Sequence, residues 1–331
     1  MNLLQRMLPE SQRHTLDELD AQLDLRVGDR VAKRSGFWVM LVLSAVIAIA
    51  GVLTDSTATV IGAMIIAPLA TPIMGIALGV VKAQRSLILR SMSFVGGGLL
   101  VVVVLGALAA RVIPDPASLL QNSQVLGRTS PQLLDLVAAF ATGFAGAFAL
   151  CRRDLGAILP GVAIAISLVP PLGVVGVCAG RGEFGLAFGA LVLFLSNVVA
   201  LVIAGSIVFT LYGYGRETTE RLPKRSRAYV TMIILLLFVL VPLGLNTTST
   251  ILTATYDARV QEAVDQWVID VPHAEVTSTA WHGFDVIVSL KSPNQAVHAP
   301  EALRALLTRD GVPSWVGVTV DLSVGRIIPV G

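Results

Sequence analysis

The stretch DSTATVIGAMIIAPLATPIMG, residues 55–75, is an apolar segment broken in its middle by two prolines. A second broken segment, DLGAILPGVAIAISLVPPLG, covers residues 154–173, and the two align at an offset of 99 residues. Lipid offers no hydrogen bonds, so a helix interrupted at membrane depth persists only where its freed backbone groups face protein or a wet cavity. The two breaks therefore predict an internal repeat with a solute site between them.

The composition of the 331-residue chain is that of an integral membrane protein. Hydrophobic residues make up 54%, charged residues only 14%, and the mean hydropathy is +0.78. These values exclude an ordinary soluble globule. Five unbroken apolar runs are long enough to cross a hydrocarbon core of about 30 Å: Phe37–Leu53, Ser91–Val112, Leu133–Leu150, Phe184–Leu211 and Tyr229–Leu245.

The distribution of Lys and Arg indicates that both broken segments cross the membrane. Cytoplasmic loops collect positive charge. If both segments cross and the N-terminus is inside, the basic clusters before residue 35 and at residues 82–90, 152–153 and 216–227 all fall on the cytoplasmic side. If both were re-entrant, the 82–90 cluster would lie outside. Three crossings per repeat also mean that the second copy enters from the opposite side.

The resulting prediction is an α-helical polytopic membrane protein with about seven transmembrane helices. It contains two inverted three-helix repeats, each with a Pro-broken helix, and a small C-terminal α+β domain. Residues 1–34 are predicted to form a cytoplasmic amphipathic helical segment that packs on the protein or lies on the membrane surface. The other boundaries are a transmembrane domain at 35–246 (repeat one at 37–112, repeat two at 133–211, an extra span at 229–245) and an extracytoplasmic domain at 250–331.

The prolines predict two half-helices in each broken segment, the second starting near Pro72 or Pro171. The two half-helix N-termini would face the membrane centre from opposite sides and would suit an anion. The unwound carbonyls before the prolines would suit a cation, so the sign of the solute stays open. The residues predicted to bind substrate are Pro68, Thr71, Pro72, Ser167, Pro170 and Pro171.

Four further polar residues are candidates for gating or capping. Asp55 and Asp154 occupy equivalent places before the broken helices, where they could cap a helix, gate the site or couple protons. Ser196 and Asn197 lie inside a predicted span and could bond to a neighbouring helix or contact the solute.

The chain shows no enzyme signature. It lacks a nucleophile–base arrangement, a phosphate loop and a metal-spaced His cluster, and Cys151 and Cys178 fall toward opposite ends of different predicted helices. We therefore expect no enzyme activity, no cofactor, no metal and no nucleic-acid partner. The expected partners are the lipid bilayer, a small solute or ion, and a second copy of the chain, because Gly-rich helix faces favour close helix packing.

Several motifs resemble the domain-of-unknown-function family 389, a family of uncharacterised hydrophobic membrane domains. They are the run TDSTATVIGAMIIAPL at 54–69, LLDL at 133–136, AGA at 145–147, LPGVAIA at 159–165, LVPP at 168–171 and LSN at 195–197. The similarity covers roughly residues 37–212. It implies a multi-pass protein of a prokaryotic inner or plasma membrane, and the family supplies no settled substrate.

The favoured functional prediction is a membrane transporter of a small solute, with an anion as one option, whose site lies between the two facing broken helices. A passive ion channel is the first alternative, because some channels are also built from inverted repeats. A sensor or scaffold that acts through its outside C-terminal domain, with the breaks serving only to pack, is the second. A dry, filled core at the breaks would favour this last alternative.

Overall fold

The computed structural model divides the chain into two compact units, Met1–Gly244 and Leu245–Gly331. It describes residues 9–111, 122–131, 133–158, 168–215, 256, 259–269, 275–282, 285–291, 300–313 and 317–323. Each unit is taken by itself below.

The described part of the first unit is helical. Its helices, in chain order, are α1 (Leu16–Leu23), α2 (Arg30–Leu53), α3 (Thr57–Ile66), α4 (Ala70–Val81), α5 (Arg85–Ala110), α6 (Ser123–Thr129), α7 (Leu133–Leu150), α8 (Val169–Gly180) and α9 (Phe184–Leu211). Helices α2, α5, α7 and α9 are each long and apolar enough to cross a membrane, and the bent pair α3–α4 is a fifth candidate. The part of the chain that the structure describes is thus mostly helical, with four to five apolar helices of membrane-spanning length.

Local sequence sets where several of these helices begin. A side-chain oxygen accepts a backbone N–H of the first turn in four helices, as expected of N-cap residues; the capping residues are Thr15, Asp29, Ser56 and Asn122. Thr15 and Glu18 form a reciprocal capping box at α1. Helices α4 and α8 begin without a side-chain cap.

Two pairs of helices repeat at the offset seen in the sequence. Helix α8 begins and ends 99 residues after α4, and α9 begins 99 residues after α5. The turns between these helices also correspond: Ala83 has φ +54° and its equivalent Gly182 has φ +82°. Glycine adopts this left-handed conformation freely, whereas alanine does so at a cost.

The equivalent helices pack in a reciprocal way. Helix α4 packs on α9 and α8 packs on α5, so each partner comes from the other half of the unit. The Cα atoms of Gly106 in α5 and Gly176 in α8 face each other so closely that a Cβ built on Gly106 would lie 2.9 Å from the Gly176 Cα. Small residues permit this approach between apolar helices.

The second unit combines helices with a three-stranded sheet. Residues 259–268 form helix α10, followed by β1 (Glu275–His282), β2 (Asp285–Lys291), α11 (Pro300–Arg309) and β3 (Gly317–Ser323). Strand β2 is central, antiparallel to β1 and parallel to β3, and α11 lies in the β2–β3 crossover. Val286 and Val288 of β2 pack in one core with Val264 and Trp267 of α10 and Leu303 of α11.

The helix bounds match the predicted apolar runs closely where the structure describes them. Leu133–Leu150 and Phe184–Leu211 have the bounds predicted from the sequence, whereas α2 and α5 start six or seven residues before the predicted runs. The predicted span at 229–245 lies outside the described residues, as do residues 159–167 of the second broken segment.

Candidate functional site

The first broken segment contains the predicted break. Helices α3 and α4 are bent by 49° relative to each other. Ala67 at the end of α3 is extended (φ −69°, ψ 121°), which is the conformation that a following proline imposes. Pro68 therefore ends α3, and α4 starts at Ala70, two residues before Pro72.

The two second-half helices start in equivalent ways. Leu69 precedes α4 and Leu168 precedes α8, both in the αR region and neither with a polar side chain to accept a first-turn N–H. Pro72 and Pro171 each occupy the third residue of their helix, a first-turn position where a missing N–H costs little. The uncapped N-termini leave the positive end of the helix dipole at each break. Among the first three residues, only Ala70 and Thr71 in α4 and Val169 in α8 carry an N–H, and the Thr71 N–H donates to the Pro68 carbonyl (3.3 Å).

The predicted substrate-binding residues differ in exposure. Pro68 and Thr71 are half-buried, and Pro72, Pro170 and Pro171 are buried. Ser167 lies outside the described residues. Within the described part of the chain, the Thr71 hydroxyl makes no hydrogen bond, which leaves it available at the first break.

A large apolar side chain lies beside each break, Leu69 at the first and Leu168 at the second. Leu69 is fully buried against Gly98 of α5 and shares one hydrophobic cluster with Leu168. A Cβ built on Gly98 would lie 3.0 Å from a Leu69 methyl carbon, so glycine is what admits this leucine. The structure thus places Leu69 and Leu168 in a common apolar core.

Asp55 caps a helix, but not the helix that follows it. Ser56 caps α3, whereas the Asp55 carboxylate accepts hydrogen bonds from the Ser123 hydroxyl (2.7 Å), the Ser123 N–H (3.3 Å) and the Gln124 N–H (3.1 Å) at the start of α6. The bond from the Ser123 hydroxyl and those from the two amides hold the pKa of Asp55 below its usual range. Capping of its own helix by Asp55, one of the predicted roles, is therefore replaced by capping of α6.

Asp154 has a different environment from its sequence equivalent. It lies in a 3₁₀ turn, Arg153–Ile158, and forms a two-bond ion pair with Arg152 at 2.9 and 2.6 Å. The hydrogen bonds from Arg152 lower the pKa of this carboxyl. The equivalence of the two aspartates in the sequence does not extend to their partners.

Ser196 and Asn197 are both buried in α9. The Ser196 hydroxyl donates to the carbonyl of Leu193 one turn earlier, so its bond stays within the helix. Asn197 stands 99 residues after Gly98, the residue that receives Leu69 at the first break. This position makes Asn197 the better candidate of the two for contact with the second break.

Sequence reasoning missed helix α6, which lies against the ends of several long helices. Asn122 caps it and also donates to the carbonyl of Val52 (2.7 Å), and Gln124 donates to the Thr57 hydroxyl (2.8 Å). Asn122, three residues before the apolar pair Val125 and Leu126, is an N-cap signal that could have identified this helix.

The contacts of the loops sort them into two ends of the unit. At one end, residues 54–57 contact α6. At the other end, acidic residues of α1 and its C-terminus pair with three basic residues. Lys82 directly follows α4, Arg90 lies in the second turn of α5, and Arg153 follows α7. These basic residues come from the loops that the charge distribution predicts to be cytoplasmic.

Titratable side chains do not converge on a metal site in the described residues, where no three of His, Cys, Asp and Glu come together in a suitable group. Among the described residues, the polar groups at the breaks are backbone N–H and carbonyl groups and the Thr71 hydroxyl. Such groups can bind a small solute or ion.

Comparison with known proteins identifies the family of the central segment. Residues 64–203 match the model of the domain of unknown function DUF389, so the resemblance predicted from the motifs is confirmed for this segment. A curated relative, an uncharacterised protein from Methanocaldococcus jannaschii, is 35% identical over 175 residues, which cover 53% of this chain and 53% of the relative. The chain thus spans about half the length of that relative. No solved structure matches the chain.

Proposed function

We propose that this chain, whose residues 64–203 carry a DUF389 domain, is a membrane carrier of a small solute that binds between the two helix breaks. One observation carries the proposal: α4 and α8 start at equivalent residues, without a side-chain cap and with a proline in the first turn. Paired broken helices of this kind supply solute sites in secondary transporters because their N-termini point backbone donors into the bilayer.

The proposal includes an inverted repeat. The matching bounds of α4 and α8, the matching starts of α5 and α9, and the reciprocal packing of α4 on α9 and α8 on α5 support it. A repeat in which each half packs on its counterpart gives two related arrangements of similar energy. Alternating access requires such arrangements, and we therefore prefer a carrier to a passive channel.

The proposed orientation places the N-terminus in the cytoplasm and the C-terminal α+β domain outside a prokaryotic inner or plasma membrane. The pairing of α1 with Lys82 and Arg90 supports it, because a re-entrant first broken segment would put the 82–90 loop at the end opposite the N-terminus. The gathered cations at that end also agree with the positive-inside rule.

An anion is the preferred solute class. The uncapped starts of α4 and α8 present the positive end of the dipole and the few N–H groups that the prolines leave in the first turn. Arg128 of α6 adds a partly buried guanidinium that bonds only to Gln124 among the described residues. Because burial removes water from the guanidinium, the pKa of Arg128 is lowered. A charge held without a carboxylate partner suits recruitment of an anion.

Solute flux into liposomes containing the purified full chain tests the proposal. Small anions, cations and neutral solutes are screened with the wild type, the Pro72→Ala/Pro171→Ala double variant and a Pro300→Ala control from the second unit. Alanine restores a backbone N–H in the first turn of α4 and α8 and frees the φ angle that proline fixes there, so the geometry of each break changes while Pro68 and Pro170 stay in place. We expect flux of one anion that the control keeps and the double variant loses.

The scaffold alternative keeps one specific observation in its favour, the burial of Leu69 and Leu168 in a common apolar cluster. A filled core at the breaks is what a purely structural role requires. Absence of flux for every solute class, with protein whose circular dichroism and melting show it to be folded, would overturn the carrier and support the scaffold.

A further inference from the structure

Helix α1 packs over one end of the helices of the first unit. Leu19 and Leu23 are buried in the main hydrophobic cluster, and the Leu23 carbonyl lies against Gly75 of α4. Three acidic side chains also hold the helix in place through ion pairs. They pair as Asp20 with Lys82, Asp24 with Arg90 (3.1 Å) and Glu18 with Arg153 (2.7 Å).

The chain just before α1 covers the ends of α7 and α9. The backbone of Arg13 pairs with that of Arg152, and the His14 N–H donates to the Cys151 carbonyl (2.9 Å). The Tyr214 hydroxyl donates to the His14 carbonyl (2.6 Å). Residues 13–24 thus join the ends of α4, α5, α7 and α9 through contacts made by one short segment.

Helix α6 covers the opposite end in a similar manner. Asp55 holds its start through three hydrogen bonds, and the Asn122 amide bonds to the end of α2. The Thr129 carbonyl at its end lies directly against Gly189 of α9. Val125 is fully buried in the second hydrophobic cluster of the unit.

The two short helices occupy corresponding places in the chain and in space. Each precedes the first long helix of its half, α2 or α7, and each packs on the second part of the broken segment of that half, α4 or α8. We propose that α1 and α6 are the inner and outer gates of the carrier, each closing one end until its polar contacts separate. This inference rests on the proposed function, for which it supplies the moving parts.

The contacts that hold α1 and α6 in place suit a gate that opens better than a permanently fixed helix. Among the inner ion pairs, Glu18–Arg153 is open to solvent on both sides, and a pair of that kind contributes about 0–1 kcal/mol. Arg90 is exposed, whereas its partner Asp24 is buried. One oxygen of Asp20 is buried without a hydrogen-bond partner among the described residues. The fully buried apolar side chains of the two gates are Leu19 and Leu23 in α1 and Val125 in α6, and the other contacts described above are polar. Opening a gate therefore exposes these few side chains and separates its polar bonds.

The two cysteines of the chain report on the two gates. Cys151 is fully buried beneath the segment that leads into α1, and Cys178 is fully buried in the cluster that contains Val125 of α6. Burial raises the pKa of the Cys151 thiol, which slows its reaction further in the closed state. With one cysteine replaced by alanine, maleimide labelling of the other measures opening of one gate.

The inner gate is tested with the full chain in lipid nanodiscs carrying Cys178→Ala. Asp20→Asn removes one fastening, and Asp17→Asn is the matched control because Asp17 is exposed on the same helix. Labelling follows the open population when reclosing is fast. We expect Asp20→Asn to raise the labelling rate of Cys151 about tenfold over the control, which corresponds to about 1.4 kcal/mol.

The outer gate is tested in the Cys151→Ala background. Asp55→Asn weakens the hydrogen bonds between residue 55 and the start of α6. The backbone at this position is left-handed (φ +51°), a conformation that asparagine adopts more readily than most residues. Arg111→Gln is the control, an exposed charge at the end of α5. We expect faster labelling of Cys178 with Asp55→Asn, and slower labelling of Cys178 when Asp20→Asn opens the inner gate.

Three results would overturn the two-gate inference. They are an unchanged Cys151 rate in Asp20→Asn, an unchanged Cys178 rate in Asp55→Asn, and a parallel rise of both thiols in either variant, which indicates general loosening. If Asp20→Asn does not fold, raising salt on the unmutated chain from about 0.1 M to about 1 M shortens the Debye length to about 3 Å and should raise Cys151 labelling alone.

The labelling assay separates the gates from transport. Flux with no gated labelling would leave the carrier standing and remove α1 and α6 as its gates. The labelling result could also hold without flux, with Cys151 labelled faster and Cys178 more slowly in Asp20→Asn. That outcome would show two coupled gates in a protein that does not transport the solutes tested, and the carrier proposal alone would fail.

Discussion

Gly106 and Gly205 stand 99 residues apart and make equivalent contacts in opposite halves of the first unit. Gly106 of α5 faces Gly173 and Gly176 of α8. Gly205 of α9 faces Met74 and Ala77 of α4, which are the residues 99 positions before Gly173 and Gly176. Each glycine therefore sits where the second part of one broken segment crosses a long helix of the other half.

Leucine at Gly106 should destabilise the protein. A Cβ there would meet the Gly173 carbonyl oxygen at 2.8 Å and the Gly176 Cα at 2.9 Å, and backbone cannot withdraw as a flexible side chain can. Overpacking of this kind costs about 1–3 kcal/mol. Melting in detergent should show a lower midpoint for Gly106→Leu than for Gly96→Leu, a position on the same helix that is open to its surroundings.

The equivalent substitution Gly205→Leu should behave in the same way, although more mildly. Its Cβ would meet side-chain atoms, the Ala77 Cβ at 2.9 Å and the Met74 sulfur at 3.0 Å, and methionine can adjust. Gly185→Leu is the control on α9. Equal midpoints for the Gly205 variant and this control would contradict the tight crossing of α4 and α9.

Glu18 should make stability depend on pH in the acid range. The Thr15 N–H, Arg153 and His14 lower the pKa of Glu18 to about 2 from an ordinary value of 4.5. A lowered pKa in the folded state contributes stability above the ordinary value, and that stability is lost as pH falls through the folded value. The melting temperature of the wild type should therefore fall between pH 5 and pH 3 more than that of Glu18→Gln.

Parallel slopes for the wild type and Glu18→Gln over this range would show that the Glu18 pair does not exist in the folded protein. Asp17→Asn again serves as the reference for removal of an exposed carboxylate from the same helix.

The Asp20–Lys82 pair should show coupling in a double-mutant cycle. Lys82 is 9% exposed and Asp20 23% exposed as side chains, so removal of one partner leaves a charge partly desolvated. We expect Asp20→Asn and Lys82→Met each to lower the free energy of unfolding by about 1–3 kcal/mol. The double variant should lose less than the sum of the two, by about 1 kcal/mol. Additive losses would contradict the ion pair.

The broken first segment and the position of the second follow from local chemistry. A proline removes one backbone donor and forces its predecessor out of the helical region, so the break at Ala67–Leu69 could be predicted without any tertiary information. The predicted starts near Pro72 and Pro171 fall two residues inside α4 and α8, because a first-turn proline is tolerated within a helix.

Partners of the acidic residues could not be predicted in this way. Asp55 and Asp154 have the same place in the repeat, yet one accepts hydrogen bonds from α6, 68 residues away, and the other pairs with Arg152 two residues away. The contacts of Asp20 and Asp24 with Lys82 and Arg90 likewise span 62 and 66 residues. The pairs made by Asp20, Asp24 and Asp55 join residues far apart in the chain and have no local sequence signal.

The sequence by itself determined which segments are apolar and long enough to cross a membrane, where proline interrupts them, and that the pattern returns after 99 residues. These properties depend on side-chain hydropathy and on backbone groups a few positions apart. The tertiary structure alone decided that α1 and α6 lie over opposite ends of the helices, that Leu69 fills the space left by Gly98, and that Asp55 caps α6. Such contacts depend on which helix surfaces meet. They join residues that are far apart in the chain, and no repeating sequence pattern marks these pairs.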